Sequence, residues 1–393
     1  METYILEWLS LLLRWSHFVV GIAWIGSSFY FVWLDTNLNQ PPKDPESDRV
    51  AGDLWSVHGG GFYHSQKYLV SPAKLPEPLH WFKWEAYTTW LTGFALLVVT
   101  YYWNAQTYLV DASVRELTPT AAVLISIALL ILGWVVYDAL CRLPLKGATF
   151  TFVGVSVLAA AALGLSQLFS GRGMYMQLGA MLGTIMAANV AMVIIPGQRK
   201  MVDAMERGET PDPEPGLKAK QRSLHNNYFT LPVLFVMISS HYPMTYGHQG
   251  AWLILITLFL VGGAVRHYFN LRNQGRNVLA IPVFALAALL ALAGLIAPRP
   301  RTVSGTVIGS ADMATIQTIV ALRCQSCHSA NPTHPTAPVA PNGVMLDTPD
   351  QIHQWADQIY QQTVETRVMP LANLTAITEE ERTTIAVWYQ NRD

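Results

Sequence analysis

Pro119-Thr120-Ala121-Ala122-Val123-Leu124-Ile125-Ser126-Ile127-Ala128-Leu129-Leu130-Ile131-Leu132-Gly133-Trp134-Val135-Val136-Tyr137-Asp138-Ala139-Leu140-Cys141 carries one charged residue, Asp138, in 23 positions. A bilayer core about 30 Å thick is crossed by roughly 20 mostly apolar residues in a helix, and unpaired backbone groups cannot face lipid, so this stretch predicts a transmembrane helix. Seven more stretches follow the same pattern, at about 9–34, 83–103, 147–169, 174–196, 228–242, 251–270 and 278–297. The 228–242 segment is short, with Pro232 expected in its first turn, where proline is tolerated. The first segment is too long for a signal-peptide core and begins with acidic residues. The composition agrees: 51% of the 393 residues are hydrophobic and 13% charged, about half the charged share of a soluble domain.

The charges are unevenly placed. Residues 301–393 hold 5 Arg, no Lys and 9 Asp/Glu, a net charge of −4, and the first 300 residues carry +3. The chain therefore divides into an apolar unit, 1–297, a Pro/Gly-containing linker, 298–311, and a small acidic domain, 312–393. No basic stripe suits nucleic acid, and three cysteines, Cys141, Cys324 and Cys327, do not make a disulfide scaffold. Cys141 reads as an inert core thiol. The connections on the side of loop 35–82 contain 14 Lys/Arg against 4 on the opposite side, which places both termini outside the cytoplasm. Within that loop, His58-Gly59-Gly60-Gly61-Phe62-Tyr63-His64 suggests a hairpin or a close backbone approach to a ligand.

The acidic domain contains Cys324-Gln325-Ser326-Cys327-His328. C-x-x-C-H is the attachment signature of haem c: two thiols take the vinyl groups and the histidine ligates iron. The spacing predicts all three on one face of a short helix preceded by Ile316, Ile319, Val320 and Leu322. A thiol redox motif would sit in a strand-helix context that is missing, and a zinc site would need further ligands. Met369, followed by Pro370, is the expected sixth ligand, with Met345 as competitor. Haem c is attached outside the bacterial cytoplasm, in agreement with the charge bias.

Ionisable residues at membrane depth mark sites by default. On the expected cytoplasmic side lie His225, His267, His58 and His64 as candidate catalytic residues, with Asn226, Asn227, Tyr228 and Arg266 as hydrogen-bonding partners for a planar polar substrate. His17 and His241, in the other half, are a candidate pair of ligands for a b-type haem.

The eight-span pattern, the His58 to Ser65 loop, the His225 to Pro243 segment and the haem motif with Met369-Pro370 together resemble the bacterial integral-membrane urate oxidases that carry a C-terminal cytochrome c domain. The resemblance covers essentially the whole chain. It implies an eight-helix transmembrane bundle followed by a small all-α, class I-like cytochrome c domain in the inner membrane. It also implies oxidation of urate to 5-hydroxyisourate, with electrons passing through covalent haem c to a respiratory cytochrome c oxidase or a soluble cytochrome c. With the substrate among the cytoplasmic-side histidines, electrons would need an intervening carrier across the bilayer; the alternative is a site nearer the periplasm. Two rival classes remain: an electron-transfer subunit fed by quinol without a substrate of its own, and a permease with an attached redox sensor.

Overall fold

The computed structural model describes residues 2–40, 49–297, 311–334, 337 and 339–392. The expected linker, 298–311, lies outside the described residues except for Ala311.

The chain is mainly helical. α1 (Glu2–Asn37) leads into an antiparallel hairpin, β1 (Val50–His58) and β2 (Gly61–Tyr68), with Val57 opposite Phe62 and His58 opposite Gly61. Gly59 and Gly60 form its turn with φ of 56° and 81°, the left-handed conformation that a two-residue turn with positive φ at both central positions requires. α2 (Trp84–Leu97) continues through a π turn, Val98–Tyr102, to the short α3 (Ala105–Tyr108). Next come α4 (Pro119–Arg142), α5 (Gly147–Ser166) and α6 (Gly171–Ala188), which runs through a π turn at Asn189–Ile194 into α7 (Ile195–Glu206). α8 (Glu214–Ser239), the short α9 (Pro243–Tyr246), α10 (Ala251–Asn273) and α11 (Ala280–Leu295) complete the unit.

Each expected apolar segment coincides with a helix, and among the described residues five helices are long and apolar enough to cross a membrane: Tyr4–Asn37, Pro119–Arg142, Gly147–Ser166, Gly171–Glu206 and Ala251–Asn273. Their outward faces are apolar. Trp15 is 67% exposed and Phe152 73%, the surface expected where lipid rather than water is the neighbour, and compatible with membrane association. The helices differ from the expected bounds at 174–196 and 228–242, and α8 ends at Ser239. The helix begun by α6 runs ten residues further, to Glu206, and α8 starts at Glu214, leaving 207–213 as the connection. The polar extensions pack on each other, with Gly197 against Pro215 and Gly216 against Met201. Pro232 consequently lies in the interior of α8 rather than in its first turn, as helix-lined membrane interiors tolerate.

The core is centred on α6. Tyr175, Leu178 and Phe169 are fully buried. A Cβ on Gly179 would come 2.4 Å from Val236 Cγ1, so the absent side chain lets α6 and α8 pack directly. α1 lies antiparallel to α2, with His17 beside Gly93 and Phe31 on Phe82.

The C-terminal unit contains α12 (Met313–Arg323), α13 (Pro349–Gln354), α14 (Ala356–Tyr360) and α15 (Glu379–Gln390) around Ile316, Val320, Ile352, Ile385 and Trp388. Thr378 caps α15, accepting from Glu381 N–H while the Glu381 carboxylate accepts from Thr378 N–H at 2.8 Å. Arg323 donates to the same carboxylate from Nε and Nη2, joining α12 to α15. Thr378→Ala is expected to lower the stability of this unit in the full-length protein by about 1 kcal/mol, measured as a shift of the chemical unfolding midpoint; an unchanged midpoint would show the cap to be dispensable.

The unit sits against the end of the helical unit that carries α3, the start of α6 and the α8 to α10 connection. Gly247 marks the seam, where an added Cβ would lie 2.6 Å from Thr366 O and from Val368 Cγ2.

Candidate functional site

The residues expected to form one cytoplasmic-side site are divided by the structure among separate clusters. His225, on α8, has Nδ1 2.8 Å from Tyr137 Oη and its ring stacked on Phe150 at 4.8 Å. The neighbouring Asn226 accepts from Asn189 Nδ2 at 2.8 Å and donates to Met186 O. Below them Arg222 donates to Asp138 at 2.7 Å and lies 5.0 Å from the Tyr137 ring centre. One helical position onward the chain turns to other neighbours. Asn227 Oδ1 accepts from Arg266 Nε at 2.8 Å and from Asn270 Nδ2 at 3.1 Å, and the Arg266 guanidinium covers Phe29 at 3.8 Å. Arg266 Nη2 and Asn270 Oδ1 are buried and lack a partner among the described residues. Tyr228 Oη meets His267 Nδ1 at 2.7 Å in a third, more exposed place.

The hairpin histidines join none of these. His64 Nε2 is 2.7 Å from Asp53 and its ring stacks on Trp55 at 4.3 Å, while His58 is exposed at the turn. The Gly-rich loop is therefore a hairpin, and it brings no described residue of these clusters to its turn. His17 donates from Nδ1 to Thr89 O at 3.0 Å in the seam between α1 and α2, and His241 is exposed just beyond α8. No contact joins the two among the described residues.

A cavity of about 380 Å³ opens at the seam between the helical and C-terminal units. Its helical wall includes Tyr108, Arg172, Tyr246 and Trp252, and its other wall includes Thr366, Arg367, Val368 and Leu371, the residues flanking Met369. Ser170 caps α6 by accepting from Gly173 N–H and holds the connection by donating to Tyr108 O. That brings Arg172 over the Tyr108 ring at 4.7 Å, with Nε donating to Tyr101 Oη at 3.3 Å. These residues were missed in sequence because loops distant along the chain assemble the cavity.

The family described as Urate oxidase N-terminal matches residues 3–297. The chain belongs to the urate oxidase N-terminal family. The match covers the whole helical unit, including α8 and the cavity's helical wall, and stops before the C-terminal unit. No curated protein and no solved structure matches the chain. Membership gives the protein a urate-related function and suggests an oxidoreductase.

Outside the family match, the C-x-x-C-H residues differ locally from the expected helix. α12 ends at Arg323 with Leu322 exposed, and Cys324 to His328 form tight turns in which His328 N–H and Cys327 N–H both donate to Cys324 O. His328 Nδ1 lies 3.1 Å from Val344 O. A carbonyl only accepts, so Nδ1 donates this bond, the kind of contact that orients ligating histidines and turns Nε2 outward from it. Cys324 and Cys327 are free thiols. Burial pushes the Cys324 thiol up to about 12, opposite in direction to the depressed value of a reactive exchange thiol. Arg382 donates to Met369 O at 3.1 Å, and Met369 N–H donates to Gln362 O at 3.0 Å, fixing the methionine's backbone. Two free thiols, an imidazole and a thioether are the side-chain types that can hold haem c.

Proposed function

We propose that this protein is a membrane-bound urate oxidase that converts urate to 5-hydroxyisourate and delivers the electrons through a covalent haem c to the respiratory chain. Membership of the urate oxidase N-terminal family supports the substrate. The observation that carries the electron-transfer half is His328, whose Nδ1 is held by Val344 O beside two free thiols. Cys324 and Cys327 would hold the haem through their sulfurs, and His328 Nε2 and the Met369 thioether would ligate its iron. When bound, the haem supplies a one-electron acceptor of raised potential.

In the overall reaction the urate monoanion gains the oxygen of one water at C5 and releases two electrons and one proton. The protein's own residues bind the flat anion, orient its C5 and exclude bulk water. The helical unit spans the inner membrane eight times in this reading, with both termini in the periplasm, as the loop charge bias and five membrane-length helices support. The C-terminal unit is then a periplasmic, class I-like cytochrome c domain.

Anaerobic mixing of the purified protein with urate is expected to reduce haem c, seen as growth of its sharp visible absorption band, at a rate that rises with urate concentration. A band that responds to quinol and ignores urate would instead identify a quinol-linked electron-transfer subunit.

A further inference from the structure

Building on the urate-oxidase reading, we infer that the cavity between the helical and C-terminal units is the urate site, with Arg172 as its anion anchor. The volume, about 380 Å³, lies within the roughly 300–1,000 Å³ of small-molecule sites. Arg172 is half-buried, and among the described residues it pairs with no carboxylate. Arg172 lines the cavity, and its hydrogen bond runs from Nε to Tyr101, which leaves both Nη groups without a hydrogen-bond partner among the described residues. By contrast the other arginines on the lining are engaged: Arg367 forks onto Glu379 and Arg382 donates to Thr363 O and Met369 O. The Nη1–Nη2 edge of a guanidinium, with its two parallel N–H groups, matches adjacent oxygen and nitrogen acceptors on a planar anion. Tyr108, Tyr246 and Trp252 supply aromatic surface for a flat ring, and Gln249 an amide that both donates and accepts.

Position separates this site from the other candidate. Arg266 and Asn270 present an unpartnered donor and acceptor, but they lie along α10 from Ala251, a cavity residue. Fifteen residues at 1.5 Å each put Arg266 roughly 20 Å deeper in the helical unit. Electrons leaving a substrate there would need a carrier between α10 and the C-terminal unit. The cavity needs none, because residues 366–368 and 371, on either side of Met369, form its wall.

Calorimetric titration of urate into the detergent-solubilised holoprotein, with the haem prereduced so that nothing turns over, tests the placement. Arg172→Gln is expected to weaken binding about tenfold or more, the loss of a charge-assisted hydrogen bond. Ser113→Trp, which places a large ring at the exposed rim of the cavity, is expected to block binding, while Arg266→Gln binds urate as the wild type does. Ser113→Trp decides alone if Arg172→Gln does not fold. Wild-type affinity in Ser113→Trp, or loss of binding in Arg266→Gln with Arg172→Gln unaffected, overturns the cavity as the site and leaves urate oxidation standing. A wild-type protein that neither binds urate nor is reduced by it overturns both.

Discussion

Replacing Cys324 and Cys327 together with serine is expected to abolish covalent haem and, with it, urate turnover linked to the respiratory chain. Serine hydroxyls cannot form the thioethers, and a lone His328 with Met369 would leave the group held only by exchangeable ligands. Urate binding should survive, because the cavity's helical wall does not involve either sulfur. Denaturing gel electrophoresis with haem-dependent peroxidase staining, run beside a urate consumption assay, reads both effects. Full turnover in a variant without covalent haem would remove the C-terminal unit from the reaction.

The second large effect concerns Asp138→Leu. Arg222 is 5% exposed and donates to Asp138 at 2.7 Å. Removing the carboxylate strands a buried guanidinium with only a 3.4 Å contact to Asn189 Oδ1 and the ring faces of Tyr137 and Trp134. Breaking a buried pair from one side is worth about 3–5 kcal/mol, whereas replacing both partners with apolar residues is often neutral. Asp138→Leu should therefore lower thermal stability in detergent sharply, and Asp138→Leu with Arg222→Met should recover most of it. Equal loss in single and double variants would mean that the pair itself, rather than the uncompensated charge, holds α4 to α8.

The same residues show how far sequence reasoning reached. Long apolar runs located the long helices of the membrane-like unit but not the short α3 and α9, and Gly59-Gly60 marked the hairpin because so few residues adopt its turn. The polar extensions of α6 and α8 were not legible from hydropathy. Their helicity rests on mutual packing at Gly197 and Pro215 and on local pairs such as Lys218 with Glu214 at 2.7 Å. His225, Asn226, Asn227 and Arg266 stand out in sequence as polar groups in or beside apolar runs. Their grouping was hidden, because successive positions on one helix face different neighbours: Asn226 turns to Asn189 and Asn227 to Arg266. Asp138 was the one available signal of the buried network, a charge in an apolar run that needed a partner. Arg172 gave no such signal, sitting where a loop meets a helix as surface arginines commonly do.

Gly247 carries a consequence for how the two units stay in register. Its missing side chain lets the Thr366 carbonyl and Val368 close directly onto the α8 to α10 connection, so the spacing between Arg172 and the Met369 loop is set by backbone contact. In the electron-transfer reading proposed above, this contact sets the distance from the cavity to the Met369 loop, and a single methyl at Gly247 would alter it.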